Sequence, residues 1–482
     1  MSSQILNGVL FVGLLAASPL AASAAPRPVF QDEAYWAPLK SLADARSRPL
    51  ADRVKRRVMI EIDTRGRDKA GLELFLGKVK SELLEELRRQ NDESVQRLGS
   101  FPFLSLDLTE RELRKLNALK LLYDGDNEPV KFRVEPSPKL FNDTVPARFA
   151  PAVGPVSIEK LMTDLGVYDT GKTGAGFRIV VIDEGVDPEN KIIKAEVLAG
   201  TSIKGAASCE LGEETEYDPD LGKNPNTQPW QLDHGTMVAA VASWAAPDAD
   251  IISIRVGSGE GAFVPDVIAA ILEAECKWNS EDAPVAAVVL SMTNKDIKKD
   301  SSASHYKSMC TAMNWLWSRH IPVVVSAGND GPNFEAFPSN LEVAVTVGGA
   351  LNTLNAPVNS SNWTKVVDLC APGIQVSIPH PDQPYGFSKN GTSVAAPFVA
   401  GALAVLKEAH PKCSIEGIID ALRSEGLSIL SMKNGNSVPL IQVRAALSKL
   451  NEGCELAVIE APVDDCGSDE LSPAPSVDEV VD

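Results

Sequence analysis

Asn390-Gly391-Thr392-Ser393-Val394-Ala395-Ala396-Pro397 sets a serine between a glycine turn and an apolar run that continues toward Glu408. A hydroxyl held at the start of a helix is turned out of the core, and the free N–H groups of the first helical turn face any negative charge that develops beside it. Upstream, the apolar run Ile179-Val180-Val181-Ile182 ends at Asp183-Glu184-Gly185, and His234-Gly235-Thr236-Met237-Val238-Ala239 opens a second one. An acid, a base and a nucleophile therefore occur in the order Asp, His, Ser. A fourth stretch, Val323-Val324-Val325-Ser326-Ala327-Gly328-Asn329-Asp330-Gly331, ends an apolar strand at an asparagine, a residue type that can donate to an oxyanion.

Taken one at a time, these residues have ordinary explanations, because aspartates and serines cap helices without any chemistry. The four motifs in this order and spacing resemble those of the subtilisin-like serine proteases, over roughly Val153 to Leu450. The resemblance implies a catalytic triad of Asp183, His234 and Ser393 with Asn329 in the oxyanion hole. It also implies that substrate pairs through its backbone with two strand segments, Ser291-Met292-Thr293 and Ser326-Ala327-Gly328. Thr293 stands where the family usually has glycine, so its side chain is expected to narrow the P1 pocket. Glu184 replaces a small hydroxyl residue after the aspartate, and Val394 a methionine beside the nucleophile. Two rival classes are a secreted pseudoprotease serving as a binding protein and an ester hydrolase. A pseudoenzyme would be expected to have lost one of the four groups, and the G-x-S-x-G elbow of esterases is absent around Ser393.

The fold class follows from the apolar runs themselves. Ile179 to Ile182, Val285 to Leu290, Val323 to Val325 and Val343 to Val347 are continuous rather than alternating, which marks strands covered on both faces. Helical stretches separate them. The expected architecture is α/β, a doubly wound parallel sheet with helices on both faces, with active-site residues at the carboxyl ends of strands.

With 482 residues of which 44% are hydrophobic, the chain can bury a large core, and its net charge of −19 argues against nucleic acid or anionic membrane as a partner. The run Val9 to Ala17, followed by Ser18-Pro19 and Ala22-Ser23-Ala24, resembles a signal peptide cleaved before Ala25, so the protein is expected to be secreted, to an extracellular or periplasmic space. No later segment reaches the ~20 apolar residues of a membrane span. Seven cysteines occur with no CxxC pair and no zinc-type spacing. The pair expected to form a disulfide is Cys454 with Cys466, flanking a short polar loop, and the other five read as buried small apolar side chains. The chemistry requires no cofactor, and no sequence motif assigns a structural calcium site.

Between the signal and the protease motifs lies a region with its own pattern. Val58, Ile60 and Ile62 alternate with Met59, Glu61 and Asp63 as in a strand, and Leu72, Leu76, Val79, Leu83 and Leu87 recur on one helical face. Leu104, Leu106 and Leu108 form a second alternating run, after which Thr109 and Glu112 make a capping box opening another helix. This small α+β unit resembles the ferredoxin-like inhibitory propeptide of the family, which implies that the protein's own propeptide binds and blocks the active site until removed. An independent binding domain is the alternative. The proline-rich segment from Asp124 to Pro155 is expected to be an exposed linker containing the processing site, and the tail after Asn451, acidic and without Lys or Arg, is expected to be solvated. The resulting division is residues 1–24 as signal peptide, 25–150 as propeptide and linker, 151–450 as the catalytic domain and 451–482 as the acidic tail.

Overall fold

The structure, a computed structural model, describes residues 55–64, 69–89, 95, 101–118, 130–142, 154–202, 233–258, 261–380, 383–454 and 466. The expected signal peptide and nearly all of the acidic tail lie outside the described residues, as does the side chain of Leu72.

The N-terminal unit consists of β1 (Lys55–Ile62), α1 (Lys69–Leu87), β2 (Phe103–Thr109), α2 (Glu110–Ala118) and β3 (Phe132–Pro136). Its strands lie in the order β2-β1-β3, antiparallel throughout. Alternation sorts the side chains as a two-faced sheet requires. Val58, Ile60 and Ile62 join Leu104, Leu106 and Leu108 in a core with Leu76, Val79, Leu83 and Leu87 of α1. Met59 and Phe103, on the other face, belong to the core of the larger unit. The capping box at α2 forms as its sequence dictates, with Glu112 Oε2 accepting the Thr109 N–H at 2.8 Å and Thr109 Oγ1 accepting the Glu112 N–H at 3.3 Å.

A fourth strand, β4 (Lys139–Asn142), leaves this unit for the next. It overturns the expectation of a featureless linker, as does β3. Prolines delimit rather than prevent these strands: Pro136 and Pro138 sit at the end of one and just before the other, where no ladder N–H is needed.

The larger unit follows in chain order as β5 (Val156–Ser157), α3 (Ile158–Asp164), β6 (Arg178–Asp183), β7 (Val197–Ser202), α4 (His234–Ala245), β8 (Asp250–Arg255), β9 (Gly257–Ser258) and β10 (Gly261–Phe263). It continues with α5 (Val264–Cys276), β11 (Val285–Leu290), β12 (Met292–Thr293), α6 (Ser304–Trp317), β13 (Val323–Ser326), β14 (Val345–Ala350), β15 (Leu369–Pro372), β16 (Val376–His380) and β17 (Gln383–Lys389). The last elements are α7 (Thr392–Ala409), α8 (Ile415–Ser424), β18 (Leu427–Leu430), β19 (Ser437–Leu440) and α9 (Val443–Glu452). Nine strands form one sheet in the order β18-β19-β15-β14-β13-β11-β6-β8-β7, parallel except for the edge pair β18–β19. Every residue of β11 and β13 is buried, as continuous apolar strands between two helical layers must be. The strand expected over Val343 to Val347 is displaced to Val345–Ala350, because Val343 and Ala344 belong to the turn that enters it.

The helix α7 is apolar and long enough to cross a membrane, yet nearly all of it is buried inside the protein, against α4 and the strands β11, β13, β14 and β15. It is the central core helix and carries Ser393.

The disulfides correct the sequence-based pairing. Cys413 bonds Cys454 and Cys310 bonds Cys466, so Cys454 and Cys466 are not joined to each other. Helices α8 and α9 pack against one another, which brings Cys413, just before α8, beside Cys454, just after α9. Cys466 instead reaches Cys310 on α6. Of the five cysteines read as apolar fillers, Cys370 is buried and free, whereas Cys310 and Cys413 are bridged and Cys276 is disulfide-bonded too. Such bonds persist in an oxidising compartment.

Candidate active site

Asp183 ends β6 with its side chain buried, and both of its carboxylate oxygens lie against Nδ1 of His234, at 3.0 and 2.9 Å. A carboxylate only accepts, so Nδ1 carries the proton and Nε2 keeps its lone pair. The histidine is the first residue of α4, and its neighbours explain why glycine and threonine follow it. A Cβ on Gly235 would lie 2.1 Å from the Gly185 carbonyl oxygen, so only glycine lets the helix come this close to the strand end. Thr236 Oγ1 accepts the Asp187 N–H at 2.8 Å, tying the same two segments together.

The helix start is capped by Asp233, whose Oδ1 accepts the Thr236 N–H at 2.7 Å. Burial pushes the Asp233 carboxyl up to about 6 against the pull of its hydrogen bonds to Thr236, and the nearby charges of Glu184 and Asp183 add to the rise. A folded-state value above the ordinary 3.8 means that the protonated form is the better one in the folded protein. The contribution is present in full below the ordinary value and is lost as pH rises through about 6, so at neutral pH ionised Asp233 weakens the fold. Asp233→Asn keeps a capping side chain and removes the charge; it is expected to be more stable than the parent at neutral pH by about 1–2 kcal/mol. Thermal melting at pH 5 and pH 8 checks this, because the advantage must widen toward pH 8.

Asn329 follows β13 and its extension Ala327-Gly328. Its Oδ1 accepts the Thr392 N–H at 3.0 Å, and Thr392 Oγ1 in turn accepts the Gly328 N–H at 3.2 Å. With the amide oxygen so engaged, the amide NH₂ is the end that carries the donors. These reciprocal bonds fix the asparagine to the first turn of α7, where Ser393 is the second residue. Pro397, four residues on, has no N–H to give the Ser393 carbonyl, and Ser291 Oγ donates to that carbonyl instead, at 3.4 Å. Three segments distant in sequence, around Ser291, Gly328–Asn329 and Thr392–Ser393, therefore meet at the start of α7.

The expected substrate-binding residues divide between two walls. Met292 and Thr293 form β12, and Ser291 immediately precedes it. Thr293 is buried where β4 pairs against it through Phe141. Ser326 is the last residue of β13, and Ala327 N–H bonds the Val347 carbonyl at 2.9 Å. Two features were not expected. The strand β10 stands across the cleft from β12, with β4 between them in the order β12-β4-β10-β9. Asn362, fully buried, donates from its backbone to Gly328 O and from Nδ2 to Ala327 O, and accepts the Asp330 N–H. It braces the whole turn that carries Asn329, and Gly328, at φ 100°, leaves room for it: a Cβ there would lie 2.5 Å from Asn362 Nδ2. The asparagine two residues after Ser360 was visible only as one polar residue in a polar loop. Of the other histidines, His410 caps the C-terminus of α7, His320 follows α6 and His305 falls in the first turn of α6.

Among the described residues, His410, Cys413 and Cys454 cluster closely enough to hold a metal ion, but the two sulfurs are bonded to each other and offer no thiolate.

The N-terminal unit sits on α6. Glu135 Oε2 accepts the Ser304 N–H at 2.8 Å, and Glu61 accepts from Ser304 Oγ at 2.8 Å and from Lys307 Nζ at 3.1 Å, so two carboxylates meet the positive end of that helix. Burial alone would raise the Glu135 carboxyl, yet its bond to His305, the charge of Arg133 and the Ser304 amide together hold it below its ordinary value.

The profile of the Subtilase family matches residues 174–428. Subtilisin BL of Lederbergia lenta is 27% identical over 271 residues, covering 54% of this chain and 87% of that protein. An alkaline protease of Alkalihalobacillus alcalophilus is likewise 27% identical over 271 residues, which are 62% of its length. Among solved structures, fervidolysin from Fervidobacterium pennivorans, a keratinolytic enzyme related to subtilisin, is similar with a TM-score of 0.55 at 17% identity, over 82% of this chain and 61% of its own. That likeness concerns the fold, a large and mostly parallel sheet flanked by helices.

Proposed function

The chain belongs to the subtilase family of serine proteases, and on that premise we propose that it is a secreted serine endopeptidase with Ser393 as nucleophile. Ser393 Oγ attacks the scissile carbonyl while His234 Nε2 takes its proton, and Asp183 stabilises the imidazolium that results. The Asn329 amide and the Ser393 backbone N–H donate to the oxyanion of the tetrahedral intermediate. His234 then protonates the departing amine, and water, activated by the same imidazole, releases the acyl group. The observation that carries this reading is the Asp183 carboxylate on Nδ1 of His234, both oxygens within 3.0 Å. A serine-directed fluorophosphonate should label the matured protein at Ser393; a matured protein that is not labelled at pH 8 would remove the serine from the mechanism.

The strand β4 supports a second part of the reading, that the N-terminal unit is a propeptide removed by the enzyme itself. Asn142 pairs with Met292 and Phe141 with Thr293 on one side, and Leu140 pairs with Ala262 on the other. An extended segment held between two strands is how a peptide is presented for cleavage. Leu140 is fully buried in the cleft while Phe141 is 47% exposed, so substrates with an apolar residue at the Leu140 position should be preferred. The chain beyond Asn142 is directed from Met292 toward Ser291, whose hydroxyl touches the Ser393 carbonyl. Self-cleavage is therefore expected within about three residues after Asn142, at the ~3.3 Å per residue of extended chain. N-terminal sequencing of the matured protein checks it, and a first residue before Asp143 or well beyond about Ala147 would rule this docking out as the cleaved state.

A further inference from the structure

We infer that Glu184 is a positioning residue for His234, holding its backbone as Asp183 holds its ring and supporting the positive charge the imidazole acquires. The inference rests on the proposed role of His234 and adds a residue that this role does not require. Asp183 and Glu184 are consecutive at the end of β6. The Glu184 carboxylate is buried, 6% exposed, and its Oε1 accepts the His234 N–H at 2.8 Å. The Glu184 N–H donates to Asp183 Oδ1, also at 2.8 Å, so the backbone of Glu184 holds the carboxylate that meets the His234 ring.

The His234 N–H is one of the orphan donors at the start of α4, where the capping carboxylate of Asp233 bonds Thr236 instead. Glu184 reaches it from the strand. With the ring held at Nδ1 and the main chain held at N, the remaining freedom of the side chain about its first torsion is restricted, and Nε2 is kept in one place. The same carboxylate places a second negative charge near the imidazole in a site shielded from solvent, which favours the protonated ring and so raises its basicity. Among the described residues, the ionisable groups that interact with Glu184 are Asp183 on its own strand, Asp233 at the helix start and Lys389 at the end of β17. Burial pulls the Lys389 ammonium below its ordinary value, and the charges of Asp233 and Glu184 offset only part of that fall.

Three variants separate the two effects. Glu184→Ala removes both acceptor and charge; its kcat is expected to fall about tenfold or more, with KM within about twofold, because only the placement of the base in the transition state has changed. Glu184→Gln keeps an acceptor and should recover most of that loss, while the acid limb of kcat/KM moves down by roughly 0.5–1 pH unit as the imidazolium loses a nearby negative charge. Repeating the pair in an Asp233→Asn background removes the other carboxyl that titrates in the same range. The rate of fluorophosphonate labelling against pH gives the same limb without a peptide substrate. The inference is overturned if Glu184→Ala keeps the parent kcat, if Glu184→Gln loses as much as Glu184→Ala, or if the acid limb of Glu184→Gln does not move. A parent protein that reacts with the fluorophosphonate while any of these holds leaves the Ser393 mechanism standing and removes only Glu184; a parent that does not react removes the mechanism itself.

Discussion

Ser393→Ala is expected to leave the precursor at full length and to lower turnover on a peptide substrate by roughly 10⁶, the loss known for removing the nucleophile of a subtilisin triad, a relative of this chain. The size of the effect comes from cooperation. His234 with no hydroxyl to deprotonate, and Asn329 with no tetrahedral oxyanion attached to the enzyme, contribute only what they give to direct attack by water. The fold should survive, because Ser393 lies in the first turn of α7, where alanine is a good helix former, and the bond from Ser291 Oγ to its carbonyl does not involve the hydroxyl. The variant therefore also freezes the state in which Lys139–Asn142 lies between Met292–Thr293 and Gly261–Phe263. Expressed alone in a protease-deficient host, it should run as the uncut chain beside a parent that is trimmed. Trimming of Ser393→Ala at the parent's position would mean that another protease cuts this chain, and self-processing would be abandoned even if peptide hydrolysis were lost.

The parallel sheet was legible because its signal is local: an unbroken apolar run such as Val285 to Leu290 has one explanation in a chain of this length, a strand covered on both sides. The proposed triad was legible for a different reason. Each of its members needs a special backbone next to it, and that backbone leaves small residues in fixed places, Gly235 where the helix touches the Gly185 carbonyl and Pro397 where the Ser393 carbonyl is turned over to Ser291. What was not legible depends on contacts between segments far apart. Gly261–Phe263 is three residues long and starts with glycine, too short to show a period, and is a strand because it pairs with Lys139–Asn142 on one side and Gly257–Ser258 on the other. Asn362 looks like any loop asparagine until its three bonds to residues 327–330 are seen. Cysteine pairing failed for the same cause. The distance in sequence between Cys454 and Cys466 is short, but the packing of α8 on α9 decides which sulfurs meet.

Asn329→Ala is expected to lower kcat by about 10²–10³ with little change in KM, the range found for the corresponding donor in subtilisin, again a relative rather than a value obtained for this chain. A ground-state carbonyl is a weak acceptor, and the asparagine amide gains most when the carbonyl oxygen becomes an oxyanion, so the loss should fall on turnover. Alanine alone does not separate this from damage to the scaffold, since it also deletes the acceptor that binds the Thr392 N–H at 3.0 Å and with it a tie to the helix of Ser393. Asn329→Asp makes the separation. Its carboxylate is nearly the same shape and can still accept from Thr392, so the tie is kept, but the group facing the cleft can no longer donate and carries a negative charge toward the developing oxyanion. The aspartate variant should therefore lose at least as much turnover as the alanine variant while melting closer to the parent protein. An aspartate variant with parental turnover would show that Asn329 acts through Thr392 and the placement of Ser393, and that the oxyanion takes its hydrogen bonds elsewhere.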